Sequence, residues 1–230
     1  MDLFHRAQEP IERELTWIKP FDNRMEEIVR LQKKSETCPK EMKKVFLSAW
    51  GELAATVKLH QRVASQVLKS GLPFKVYYDI TLNTDMSSAS ADFLLIASDM
   101  IVVILCKKKE HIEWGRYDTR FAKLPGAVDT LSAEEAACVL ADWLTVNRAI
   151  AGKDVKYIVP VLIDEEESEM SADRRPVGSS VLYTDIKEAV RIHPDVLGQW
   201  LSKNCEVSEV PVFTEAKCGK IIETVDRGLA

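Results

Sequence analysis

Long apolar runs are missing from this chain. No stretch approaches the ~20 residues that cross a bilayer, so no membrane partner is expected. Cysteine is sparse: Cys38, Cys106, Cys138, Cys205 and Cys218 are odd in number, scattered, and never spaced as CxxC. That pattern argues against a disulfide framework or a zinc site and favours a reducing compartment. The opening MDLFHRAQEP lacks the basic region and apolar core of a secretory signal, so the expected location is cytoplasmic. No glycine loop of the phosphate-cradling kind is present. The serines at 87, 88 and 90 have no histidine or oxyanion motif beside them, which excludes a recognisable serine nucleophile. There is no internal repeat, no low-complexity tract and no excess of positive charge. The formal net charge is −5, so any nucleic acid must be held by a local patch rather than drawn in by the whole-molecule field. The hydrophobic and charged fractions, 46% and 29%, are those of an ordinary globular chain with core enough for one large domain or one domain with extensions.

What is present centres on Ser90–Glu110, SADFLLIASDMIVVILCKKKE. Two short Ile-, Leu- and Val-rich runs, Phe93–Ile96 and Ile101–Cys106, flank the polar break Ser98-Asp99 and predict a hairpin of buried strands. Asp92 opens the first strand, and Lys107, Lys108 and Lys109 close the second. An acid and a base at the ends of adjacent strands suit a metal and a phosphate. They equally suit a buried hairpin that has to finish in water. Alternation places Lys107 on one face with Leu105 and Val103. A functional lysine there needs a carboxylate from elsewhere, with Asp92 and Glu52 as candidates.

Upstream, Phe4, Ala7, Ile11, Leu15 and Ile18 recur at helical intervals. Met25, Ile28, Val29 and Leu31 form a second stripe after Pro20, with Asp22 placed to cap it. Residues 1–38 are expected to be an N-terminal helical extension and 39–230 an α/β domain. Met42 to Leu68 predicts one helix of about eight turns, bent or divided at Gly51 and ended by Gly71. FKVYYDITL (74–82) reads as a strand, 83–90 as a polar turn, and the three strands as successive and antiparallel. Ser132 to Glu135 predicts the capping box of a helix that Gly152 ends. YIVPVLI (157–163) reads as a strand that Pro160 marks as an edge or a bulge. Residues 164–178, beginning with the acids Asp164–Glu167, read as a solvated loop. Beyond them come a strand at Ser180–Tyr183, helices from Thr184 and from His193, and a weak strand after Val207.

This order of parts resembles the nuclease-related domain family of the restriction-endonuclease-like fold, over roughly residues 50–190. The family's Gly-Glu pair is matched by Gly51-Glu52, its strand aspartate by Asp92, and its Glu-x-Lys strand by IVVILCK up to Lys107. Trp114 and Gly115 lie where the family has a Gly/Trp segment. The resemblance implies a metal-dependent phosphodiesterase ancestry, with Mg²⁺ held by Asp92 and Glu52 and Lys107 assisting the attacking water. One departure stands out: Leu105 occupies the place of the family's metal-binding glutamate.

The expectation is therefore a degenerate nuclease-related domain, impaired in catalysis and kept for binding nucleic acid or a protein. Lys107, Lys108 and Lys109 are its candidate phosphate patch, with Mg²⁺ required only if activity survives. The alternative is an assembly module that meets a protein partner or a second copy through the N-terminal helices. For each residue a plainer reading stands beside the functional one. Asp92 suits a turn acceptor, the lysines a solvated strand exit, and Glu52 a surface position near a helix bend. His60 and His111 lack a partner at a telling spacing and read as structural.

Overall fold

A computed structural model describes residues 14–84, 87–107, 127–165, 186, 188–205 and 211–229. The elements run β1 (Thr16–Lys19), α1 (Met25–Thr37), α2 (Lys40–Lys69), β2 (Lys75–Asn83), β3 (Ser88–Ile96) and β4 (Ile101–Cys106). They continue with α3 (Ala127–Val146), β5 (Ile158–Ile163), β6 (Val190–Ile192), α4 (Leu197–Asn204) and α5 (Glu215–Gly228). The strands form one sheet in the order of the chain, β1 to β6. The expected antiparallel trio β2–β3–β4 is at its centre. β1 joins β2 in parallel, and β5 and β6 continue in parallel beyond β4. The class is thus α/β, a mixed sheet flanked by helices. Among the described residues no helix is long and apolar enough to cross a membrane.

Phe93–Ile96 and Ile101–Ile104 are all within 1% of full burial, because helices cover both faces of the sheet there. One core lies under α3 and α5 and takes Tyr77, Leu94, Val103 and Ile158 from the sheet. The other lies under α2 and α4 and takes Tyr78, Phe93, Ile104 and Ile163. In α2 the buried residues Val57, His60, Val63, Ala64 and Val67 follow helical spacing and aim one face at the sheet. The helix runs unbroken through Gly51. It stops at Ser70, and Gly71 takes the left-handed φ of +67° that a helix C-terminal turn favours.

Several expectations need correction. The spacing of Leu15 and Ile18 predicts a helical stripe, but Thr16–Lys19 is strand β1. The open edge of β2 offers backbone partners to this short aromatic and β-branched run, and tertiary pairing wins. β3 begins at Ser88, so Asp92 lies inside a strand and not at its start. The ladder to β2, helped by the Thr81–Ser90 hydroxyl contact at 2.9 Å, extends into what reads as a polar turn. Helix α3 begins at Ala127, ahead of the proposed cap at Ser132, and ends at Val146, before Gly152. Val190–Ile192, read as helix, is a strand on the edge of β5. The weak strand after Val207 is α5 from Glu215 onward, with Thr214 accepting from the Lys217 N–H and Ile221 and Val225 buried one turn apart. Pro160 sits in an interior strand, but β6 pairs only with Val161–Ile163, so β5 is locally an edge beside the proline. The Ser180–Tyr183 strand, residues 1–13, Trp114 and Gly115 lie outside the described residues.

Candidate functional site

The site forms where the β2–β3 pair reverses its alternation. On β2, Tyr77 faces the α3/α5 core and Tyr78 the α2/α4 core, yet Ile80 and Leu82 both face α3/α5. On β3, Leu94 and Ala91 face α3/α5 while Phe93 and Leu95 face α2/α4. Both strands therefore change phase between the same rungs, Tyr78↔Phe93 and Ile80↔Ala91. The residues between those rungs are Asp79 and Asp92. Asp79 has a φ of +49°, a conformation costly for a residue with a Cβ. It is clasped from outside: its carboxylate pairs with Arg24 and its carbonyl accepts from the Lys19 ammonium.

Asp92 turns inward. Its Oδ2 accepts the backbone N–H of Cys106 at 2.7 Å, where the β3–β4 ladder has ended at Phe93↔Ile104. Its Oδ1 is 3.4 Å from Nε2 of His60 on α2. The other ring nitrogen, Nδ1, is 3.0 Å from the Tyr78 hydroxyl. Burial pushes the Tyr78 hydroxyl up to about 12, the nearby Arg24 opposing and Asp79 and Asp92 adding, so it stays protonated at neutral pH. Tyr78 and Phe93 both pack edge-on to the His60 ring, at 5.6 and 5.7 Å. His60 is 4% and Cys106 7% exposed, while the Asp92 side chain keeps 17%. One donor atom each from His60, Asp92 and Cys106 lies within 4.8 Å of the others.

Beside this cluster the parallel strands β4, β5 and β6 end together. Lys107 donates its backbone N–H to Ile163 at 2.8 Å and places Nζ 3.2 Å from Oδ2 of Asp164. Arg191, on β6, reaches the same oxygen at 3.7 Å. Arg62, one half-turn beyond His60 on α2, pairs with Glu165 and, at 2.9 Å, with Asp195. The Arg62 guanidinium holds the Asp195 carboxyl below its ordinary range. Carboxyl ends of parallel strands are where ligands gather in α/β folds.

Of the residues singled out in the sequence, Asp92, inside β3, and Lys107, just past the end of β4, lie on neighbouring strands. Glu52 does not join them: it is exposed on α2, takes the Ser48 hydroxyl at 2.9 Å, and precedes His60 by about 12 Å of helix rise. The carboxylate that meets Lys107 is Asp164. That residue is 4% exposed and no part of a solvated loop, and Glu165 beside it is also partly buried. Lys108, Lys109 and His111 lie outside the described residues. Leu105 comes one residue after Ile104, whose pairing with Phe93 is the last of the β3–β4 ladder, and it pairs with Leu162 of β5. Sequence reasoning reads His60 as structural and passes over Tyr78 and Cys106 as site residues. One signal was there: His60 interrupts the apolar stripe of α2, and a polar residue on a buried stripe needs a partner.

Compared with protein-family models, curated proteins and solved structures, the chain finds no match.

Proposed function

We propose that the chain is a restriction-endonuclease-like domain of the nuclease-related kind that no longer hydrolyses phosphodiesters and works by binding nucleic acid. The order α2, three antiparallel strands, α3 and a parallel β5 supports the ancestry. The observation that carries the loss of hydrolysis is the state of Asp92. Its carboxylate serves the Cys106 backbone and His60, with a leucine where a second acid is needed. Mg²⁺ takes hard oxygen ligands in near-octahedral geometry. Around Asp92 stand an imidazole and a thiol, and Glu52 is two helical turns away. These residues do not fit that ion. Lys107 is likewise neutralised by Asp164 instead of facing a water. Binding is then the task left, with Lys107, once a phosphate displaces Asp164 from it, and with Lys108 and Lys109 as phosphate contacts. Five free cysteines accord with a reducing, cytoplasmic setting.

The test is a labelled duplex and a labelled single strand incubated with the full chain, with and without Mg²⁺ or Mn²⁺. The expected result is no cleavage, and binding that weakens with salt and with charge reversal at Lys107–Lys109. Metal-dependent cleavage lost in Asp92→Ala would sink the non-hydrolytic reading. Absence of any shift at low salt would remove nucleic acid as the ligand.

A second reading rests on the arm formed by α1 and the first half of α2. No residue of α2 before Val57 is buried, and Met25, Val29, Met42 and Val45 are 40 to 57% exposed. Lys33, Lys34, Lys40, Lys43 and Lys44 outnumber Glu36 and Glu41 around the tip of this hairpin, and Glu26, Glu27 and Glu52 outnumber Arg24 near its base. Two arms laid antiparallel would set base against tip with opposite charges facing. Deleting residues 1–35 is a poor test, because it removes β1 from the sheet. Val45→Glu with light scattering is cleaner: a wild-type dimer that becomes a monomer supports assembly, and a wild-type monomer rejects it.

A further inference from the structure

Chain positions that give no metal-site spacing in the sequence meet on three different elements: His60 on α2, Asp92 on β3 and Cys106 at the end of β4. We propose that His60, Asp92 and Cys106 form a binding site for a transition-metal dication of the zinc class, through imidazole nitrogen, carboxylate oxygen and thiolate sulfur. The inference is independent of nucleic-acid binding and of any hydrolysis.

The donor types decide the class of ion. A thiolate and an imidazole are poor ligands for Mg²⁺ or Ca²⁺, and with a carboxylate they are a common set for Zn²⁺ or Co²⁺. The spacing also suits one ion. Corners of an equilateral triangle with sides at the 4.8 Å limit lie about 2.8 Å from its centre, so closure by about 0.5–0.8 Å reaches zinc bond lengths of ~2.0–2.3 Å.

The outer contacts expected of a metal site are in place. Ligating histidines are held through their second nitrogen, and here Nδ1 rests against the Tyr78 hydroxyl at 3.0 Å, leaving Nε2 turned toward Asp92. Ligating carboxylates are themselves hydrogen-bonded, and Oδ2 of Asp92 holds the Cys106 N–H, leaving Oδ1 toward the histidine. Carboxylate and thiolate together balance a dication in a region where His60 and Cys106 are nearly fully buried. The partial exposure of Asp92 gives the ion a way in.

A cysteine-nucleophile reading fits worse. There the histidine uses one nitrogen for the acid and the opposite one for the thiol. Here the acid lies at Nε2 and the opposite nitrogen is held by Tyr78, so none is left to take the thiol proton.

The experiment is titration of the full chain, purified without metal, with Co²⁺ and then Zn²⁺. Expected are a thiolate-to-cobalt charge-transfer band and tetrahedral-strength visible bands that saturate at one equivalent and vanish when Zn²⁺ displaces Co²⁺. Cys106→Ser should abolish the charge-transfer band, Cys38→Ser should retain it, and Tyr78→Phe should weaken affinity about 10- to 100-fold. X-ray absorption at the zinc edge of the wild type needs no variant and should show one sulfur among nitrogen and oxygen ligands. A wild type without the charge-transfer band, a band undiminished in Cys106→Ser, or a zinc shell free of sulfur would each overturn the proposal.

Discussion

Asp92 finishes the central sheet for Cys106: its carboxylate takes the backbone N–H that the β3 main chain no longer reaches, at 2.7 Å. The contact gives Asp92 a structural task that any functional role has to share. Asp92→Ala leaves a buried donor without its acceptor and should cost about 1–3 kcal/mol in urea denaturation. Asp92→Asn keeps an acceptor oxygen and should cost less. Equal losses in the two variants would mean that the bond contributes little.

Asp164 gathers Lys107 and Arg191 at the ends of β4, β5 and β6. Its burial makes truncation expensive, while both cations are about a quarter exposed and can turn to water once it is gone. Asp164→Ala should therefore cost about 1–3 kcal/mol, below the range for a fully buried pair. Lys107→Ala should cost less, since Arg191 remains. A double-mutant cycle on chemical denaturation checks this: a coupling near zero would show that the pair adds no stability.

A pH dependence comes from the opposite side of the sheet, where Lys217 of α5 reaches Asp154 at 2.7 Å and the Ala151 N–H adds a bond at 2.9 Å. Burial alone would raise the Asp154 carboxyl, but these two partners outweigh it and the net shift is downward. A carboxyl lowered by folding stabilises above its unfolded value and loses that contribution as pH falls through the folded one. Asp154→Asn should thus be less stable than the wild type at pH 7. The gap should narrow below about pH 4, near the ordinary aspartate value. Thermal melts across that range are the check, and a gap independent of pH would reject the ion pair as the cause.

Gly198 is where α4 crosses α2. A Cβ there would stand 2.8 Å from Oε1 and 2.9 Å from the backbone oxygen of Gln66. The side-chain oxygen can rotate aside but the backbone oxygen cannot, so Gly198→Ala has to lift α4 from its seat. The expected cost is about 1–3 kcal/mol, read as a lower melting temperature. An unchanged melt would show that the two helices separate freely.

Adding an acid at Leu105 probes the ancestry. Leu105→Glu adds a carboxylate one residue beyond the Phe93↔Ile104 pair, and metal-dependent nicking of DNA by this variant, absent from the wild type and from Leu105→Gln, is the outcome that would support it.

Local chemistry made some of this molecule legible. Phe93–Ile96 and Ile101–Cys106, apolar without interruption and split by Ser98-Asp99, can be satisfied only as adjacent strands covered on both faces. The long stripe of α2 and its stop at Gly71 followed from spacing and from glycine's access to positive φ. These signals lie within a few residues of one another, so no distant partner is needed to read them.

The remainder depended on which surfaces were left open once the core had formed. Thr16–Lys19 and Val190–Ile192 are too short to declare themselves and became strands because β2 and β5 offered free edges. Asp79 and Asp92 lie between the two rungs where the alternation reverses, a property of the paired strands that neither segment shows alone. By itself the sequence determined a helix-covered α/β sheet with an acid and a lysine on neighbouring strands. Only the tertiary structure decided that the acid meets His60 and Cys106 while the lysine meets Asp164, because hydrogen bonds act across a few ångströms of space between residues that sequence order keeps far apart.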